Sequence, residues 1–222
     1  MRILRRTALR RSLLIALAWA LSFVVGGLLY GWYRSGSGSD PTKSDIDTTG
    51  LRHTDWRNAE IPGDLCRSPS SIHLHDGLAL APSDFDGPEQ NMPQDVSASA
   101  DKVAYGDLTG DHHDEAALPV LCANHNSTAA GQRAMGVMVF DGADHPLRLI
   151  GTLVGQQPRL GEPPNFLEIW QITPGKIVAT ETFYGPGDAN CCASGKATDT
   201  WTFESGKLNP TSSVVDTPPD NG

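Results

Sequence analysis

Between Leu13 and Tyr33 the chain carries no charged residue, a run of 21 positions rich in Leu, Ala, Val and Gly. A helix needs roughly 20 apolar residues to cross the hydrocarbon core of a bilayer, so this run is long enough to span it. Arg2, Arg5, Arg6, Arg10 and Arg11 precede it without an acidic residue among them, and flanks of that kind stay on the cytoplasmic side. Tyr30, Trp32 and Tyr33 gather at the far end, where amphipathic rings favour the interface. The expectation is a cytoplasmic tail over 1–12, a transmembrane signal anchor in the lipid bilayer over 13–33, and an extracytoplasmic remainder. A cleaved signal peptide is the rival reading. Its apolar core is shorter, roughly 7–15 residues, and ends in a small-x-small site. Here triplets such as Ala16-Leu17-Ala18 lie inside the run and the exit reads Gly31-Trp32-Tyr33-Arg34, which favours the anchor.

Charge is best counted without that segment. Six of the 17 basic residues and none of the 26 acidic ones lie in positions 1–34, leaving 11 against 26 and a net charge of −15 on the exported part. Such a surface repels phosphates, so nucleic acid is excluded as a partner, while cations and basic partners suit it better.

Cys66, Cys122, Cys191 and Cys192 all fall on the exported side, and an even number in an oxidising compartment predicts two bridges. Four cysteines allow three connectivities, and the spacing alone leaves them open. Closure of the adjacent pair on itself works against geometry, because consecutive Cα atoms stand ~3.8 Å apart and disulfides usually want more.

Residues 34–55 open Arg-Ser-Gly-Ser-Gly-Ser-Asp-Pro and read as a flexible spacer, and 209–222, with three prolines, as a disordered tail. Between them, 56–208 has the size of one domain. Its apolar period is near two. Ile72 and Leu74 alternate with histidines before an Asp76-Gly77 turn into Leu78 and Leu80. Ala116 to Cys122 is a short buried run, Met135 to Phe140 ends at Asp141-Gly142, and Leu147 to Val154 follows. Phe166 to Ile172 meets Ile177 to Phe183 across Thr173-Pro174-Gly175-Lys176. Trp201 and Phe203 share a strand face, and the Pro- and Asp-rich stretch 81–100 reads as loop. The predicted fold is mainly β, an antiparallel sheet or sandwich.

The most specific local pattern is Asp107-Leu108-Thr109-Gly110-Asp111-His112-His113-Asp114-Glu115. Alternate residues of a curled loop point oxygens inward, and Ca²⁺ takes roughly 6–8 of them. Asp107, Thr109, Asp111 and Glu115 offer side-chain oxygens and His113 a carbonyl, so these five residues are the candidate Ca²⁺ ligands. The stretch resembles the calcium loop of FG-GAP and VCBS-type β-hairpins, whose usual form is Asp-x-Asn-Gly-Asp-Gly-x-x-Asp. It departs in carrying His112 where that loop has glycine, and a neutral hydroxyl at Thr109. A turn held by Asx-type hydrogen bonds is the simpler alternative. His73 and His75 share a strand face and are weaker zinc candidates, with His112, His113 and His125 as further ligands.

Tyr105 to Asp111, the cysteine after the next strand, and Phe183-Tyr184-Gly185-Pro186-Gly187-Asp188 before Cys191-Cys192-Ala193-Ser194-Gly195 together resemble exported domains of high-GC Gram-positive bacteria, of the LppP/LprE lipoprotein type. The resemblance spans about residues 100–205 and implies an exported β-rich domain with no established catalytic residues. The chain lacks a Gly-x-Ser-x-Gly elbow, a His-Glu-x-x-His, a phosphate-binding glycine loop and a redox Cys-x-x-Cys. The expectation is a tethered extracytoplasmic module that binds an envelope protein or cell-wall component without catalysis. The alternative is a hydrolase using carboxylates.

Overall fold

The computed structural model describes residues 50–85, 92–128, 131–142, 147–160 and 163–219, all within the unit Asp47–Gly222. The expected tail 1–12 and anchor 13–33 lie outside the described residues, as does most of the spacer.

Among the described residues twelve strands follow in chain order: β1 (Glu60–Ile61), β2 (Ile72–His73), β3 (Leu78–Ala81), β4 (Gln94–Ala98), β5 (Ala104–Gly106) and β6 (Glu115–Asn124). Then come β7 (Gln132–Asp141), β8 (Arg148–Leu153), β9 (Phe166–Thr173), β10 (Lys176–Phe183), β11 (Gly195–Glu204) and β12 (Lys207–Thr217). Every pairing is antiparallel. One sheet runs β3-β4-β6-β7-β8 with β5 beside β6, a second runs β12-β11-β10-β9, and β1 pairs β2 alone. The chain is mainly β, as its period of two predicts.

The first six residues of β6, Glu115 to Val120, are all buried, because both faces of this strand are covered. Ala117, with Val137, Val139 and Leu153, packs against Leu167, Ile177, Ala179 and Trp201 of the four-stranded sheet. Ala116, Leu118, Val120 and Cys122 point the other way, with Met138 and Phe140, onto Leu51, Trp56, Ile61, Cys66, Ile72 and Leu74. The segment 50–74 has little regular structure, yet it closes one face of the large sheet. Leu51 is 1% exposed, Trp56 stacks tilted on Phe140 at 5.3 Å, and its Nε1 donates to Tyr105 Oη at 2.8 Å.

Pro119 sits inside β6, where a missing N–H normally breaks a ladder. Along that edge β5 pairs residues 115–117 and β4 pairs residues 120–124, so Pro119 falls in the interval between them. Its carbonyl accepts from Ser99 N at 2.9 Å, and no donor is missed. The two sheets come close at Gly106, where a Cβ would stand 2.7 Å from Ile172 O.

Four local expectations are corrected. Residues 209–217, expected as tail, belong to β12, whose outer position in its sheet tolerates their polar, mostly exposed side chains. Residues 50–55, expected as spacer, are held by Leu51 in the core and by an Arg52–Asp114 ion pair at 2.6 Å. The stretch 81–100, read as loop, contains β4, which buries Gln94 and Val96. Finally, Asp76 and Gly77 do make a tight turn, both with positive φ, closed by the His75–Leu78 bridge. The strands beyond it diverge, however: β2 pairs β1, β3 pairs β4, and Leu78 and Leu80 face solvent.

Candidate functional site

The loop after β5 is organised by its own carboxylates. Asp107 Oδ1 accepts from Gly110 N at 2.6 Å and Oδ2 from His112 N at 3.2 Å, and Asp111 Oδ1 accepts from His113 N at 2.9 Å. Gly110 and His112 both take left-handed φ, 82° and 70°. Glycine does so freely; His112 bears a steric cost that its N–H bond to Asp107 offsets. Glu115 opens β6 with its side chain fully buried, and its Oε2 accepts from Leu108 N at 2.6 Å and Thr109 N at 3.0 Å. Burial pushes the Glu115 carboxyl up, against the opposing pull of the Thr109, Leu108 and Gly142 amides.

These are the bonds of an Asx-type turn. Oxygens of Asp107, Asp111 and Glu115 accept from the amides of the loop itself. The histidines do not converge. His73 lies 3.7 Å from Glu60, and His125 Nδ1 lies 2.7 Å from Asp95, whose carboxyl that bond holds below the usual range. Among the described residues no three His, Cys, Asp or Glu side chains gather so as to hold a metal.

The cysteines pair as Cys66–Cys122 and Cys191–Cys192. The first is buried and ties the covering segment to β6 with Cα atoms 5.5 Å apart. The second is the vicinal closure, at the exposed tip of the loop between β10 and β11.

Two further acids lie where the sequence reading did not look. Ile177, Ala179, Glu181 and Phe183 alternate along the inner face of β10, and Ala197, Asp199 and Trp201 along that of β11. Glu181 and Asp199 are thus set inside an apolar layer, each at 0% exposure. Glu181 accepts from Gln156 N at 2.8 Å, Gln157 N at 3.0 Å and Asn165 Nδ2 at 2.6 Å. It holds the segment after β8 as Glu115 holds the loop after β5. Asp199 Oδ1 accepts from Ser213 Oγ at 2.5 Å, while Oδ2 is buried and meets no N–H or O–H donor. Burial first, then the neighbouring Glu181 carboxyl, pushes Asp199 up to about 7, so that a carboxyl with a buried, unpartnered oxygen keeps its proton. The signal was present in the strand parity that places Trp201 inward: two residues earlier on the same face stands Asp199.

A groove of about 380 Å³ runs beside the edge of β9. Its floor is Ser97, Ser99, Pro119 and Leu121, and its opposite wall is Phe166, Leu167, Glu168 and Ile169 with Thr180 and Thr182. Four consecutive residues of β9 line it. Successive side chains of a strand point to opposite faces, so β9 presents its edge, and β9 is the terminal strand of its sheet. Lys102 and Glu168 place opposite charges at its border. Trp170, next along the strand, is 62% exposed at a register shift in the β9–β10 pairing.

No family model, curated protein or solved structure matches the chain.

Proposed function

We propose that this chain is a membrane-tethered extracytoplasmic binding module that captures an extended segment of an envelope protein in the groove between β4–β6 and β9. The observation that carries it is the unpaired β9 edge running along that groove. Edge strands bind extended peptides through main-chain hydrogen bonds, with flanking pockets for side chains. Ser97, Ser99, Thr180 and Thr182 offer small polar contacts, Phe166 and Leu121 apolar ones, and Trp170 an exposed aromatic anchor of the type enriched at binding hot spots.

The address rests on two arguments. The uncharged run 13–33 beside its arginines supplies the tether. The Cys66–Cys122 bridge suits an oxidising compartment. For the hydrolase alternative, Glu115, Glu181 and Asp199, each 0% exposed, are out of a substrate's reach, which leaves only the exposed carboxylates for it.

The test is site-specific photocrosslinking in intact cells. A photoreactive residue at Ser97 or Glu168 should yield a discrete protein adduct, and Trp170→Ala should weaken it. The same probe at Ser212, on the outer strand β12, should not. Equal labelling at Ser212, or none at the groove, refutes the proposal.

A further inference from the structure

The two disulfides differ in everything that decides what a disulfide does. Cys66–Cys122 joins residues 56 apart in sequence and is buried at both ends. It constrains a long stretch of unfolded chain, which is how a bridge stabilises a fold. Cys191–Cys192 joins neighbours, so it closes no chain loop and has no such constraint to offer. Both of its cysteines are exposed.

Nor does the surrounding loop depend on it for shape. Asp188 accepts from Gly185 N at 2.7 Å, Ser194 N at 3.0 Å and Ser194 Oγ at 2.8 Å, pinning the two ends of the loop together. Those bonds hold the Asp188 carboxyl below its usual range. Tyr184 Oη donates to Asn190 O at 3.0 Å, and Cys192 N to Ala189 O at 2.8 Å. The loop is held by hydrogen bonds, and the exposed sulfur–sulfur bond at its tip remains open to chemistry.

We propose that Cys191–Cys192 is a thiol–disulfide exchange site that takes two electrons from an exported dithiol protein. A thiolate of the partner attacks one of the two Sγ atoms. The Cys191–Cys192 bond breaks, a mixed disulfide forms, and the other cysteine leaves as a thiolate that takes up a proton. The partner's second thiol then attacks the mixed disulfide. It leaves the partner oxidised to a disulfide and this chain carrying two thiols at 191 and 192. The inference is independent of the groove: β10 leads from Thr182 into this loop, but the exchange needs no ligand there.

The experiment uses the full-length chain in detergent, reduced at equal thiol concentration by dithiothreitol or by thioredoxin with its reductase, then alkylated and mapped by mass spectrometry. Cys191 and Cys192 should be alkylated on the order of 100-fold faster than Cys66 and Cys122, whose burial requires the fold to open first. Thioredoxin should outpace dithiothreitol, and the melting temperature should not change after selective reduction. A thioredoxin with its second cysteine replaced by serine should be trapped on the 191–192 peptide alone. The proposal is overturned if both bridges reduce together, if thioredoxin is no faster than dithiothreitol, or if the isolated chain carries free thiols at 191 and 192.

Discussion

Replacing Asp199 by asparagine should stabilise the protein increasingly as pH rises from 3.8 to about 7, and leave it unchanged below 3.8. The amide reproduces the protonated acid, accepting from Ser213 at Oδ1, but it cannot ionise. In the wild type the folded state holds the Asp199 proton up to about 7, whereas the unfolded chain releases it near 3.8. Over that window the native state binds more protons than the unfolded one, so stability falls as pH rises, by about 1.4 kcal/mol per pH unit. It is fully present below the unfolded value and lost by the time pH has passed through the folded one. The whole interval is worth up to about 4 kcal/mol, and asparagine should restore an amount of that order at pH 8.

Urea denaturation of the full-length chain in detergent, followed by tryptophan fluorescence at pH 5, 6, 7 and 8, measures this. Other titrations cancel in the difference between the proteins. Glu115 acts in the same sense as Asp199; Asp95 and Asp188, lowered by bonds from His125 and from Gly185 respectively, lose their contribution as pH falls. A variant with the wild-type pH slope, or one less stable than wild type at pH 8, would show that Asp199 does not hold its proton in the folded state.

Three further outcomes follow from the same structure. Glu115→Ala leaves the Leu108 and Thr109 amides without an acceptor and should cost roughly 3 kcal/mol in chemical denaturation. Millimolar Ca²⁺ should not raise the melting temperature of the wild type, since the oxygens of Asp107, Asp111 and Glu115 already face amides; a rise of several degrees would show that the loop reorganises around a cation. Replacing Cys66 and Cys122 together by serine should lower stability by roughly 3–4 kcal/mol, read as a shifted urea midpoint, because the loop they close spans 56 positions.

The strand content was legible because β-strands advertise themselves by alternation, and hairpins by their turns. Phe166 to Phe183 folds as the sequence predicts because Pro174 sets φ at one turn position and Gly175 accepts φ of 77° at the next. Alternation says nothing about which strands pair, so the divergence of β2 and β3 at Asp76-Gly77 could not be read. It also fails for an outer strand. The stretch 209–217 is mostly polar and contains Pro210, which reads as a tail, and it is ordered by its ladder with β11 and by the bonds of Ser213 to Asp199 and Gln157. The opposite failure lies in 50–55, where Leu51 is one apolar residue in a polar context and gives no periodic signal. Its burial is decided by the sheet it covers.

The candidate site was legible in a different sense. Asp107 to Glu115 was recognisable as a built loop, because oxygen-bearing residues at alternate positions organise either a cation or backbone amides. The sequence cannot choose between those, since both use the same atoms. Position in the sheet decides. Glu115 begins a strand covered on both faces, so its carboxylate is carried inside, where the N–H groups of residues 108 and 109 reach it. Glu181 obeys the same logic at the other sheet, receiving residues 156 and 157. An inward-facing acid on a β-strand must find donors, and the nearest donors with fixed geometry are the successive amides of a crossing loop. That makes each buried acid a fastener for the loop it receives. It also explains why the carboxylates most noticeable by burial are poor candidates for chemistry, while the open β9 edge and the exposed Cys191–Cys192 bond are better ones.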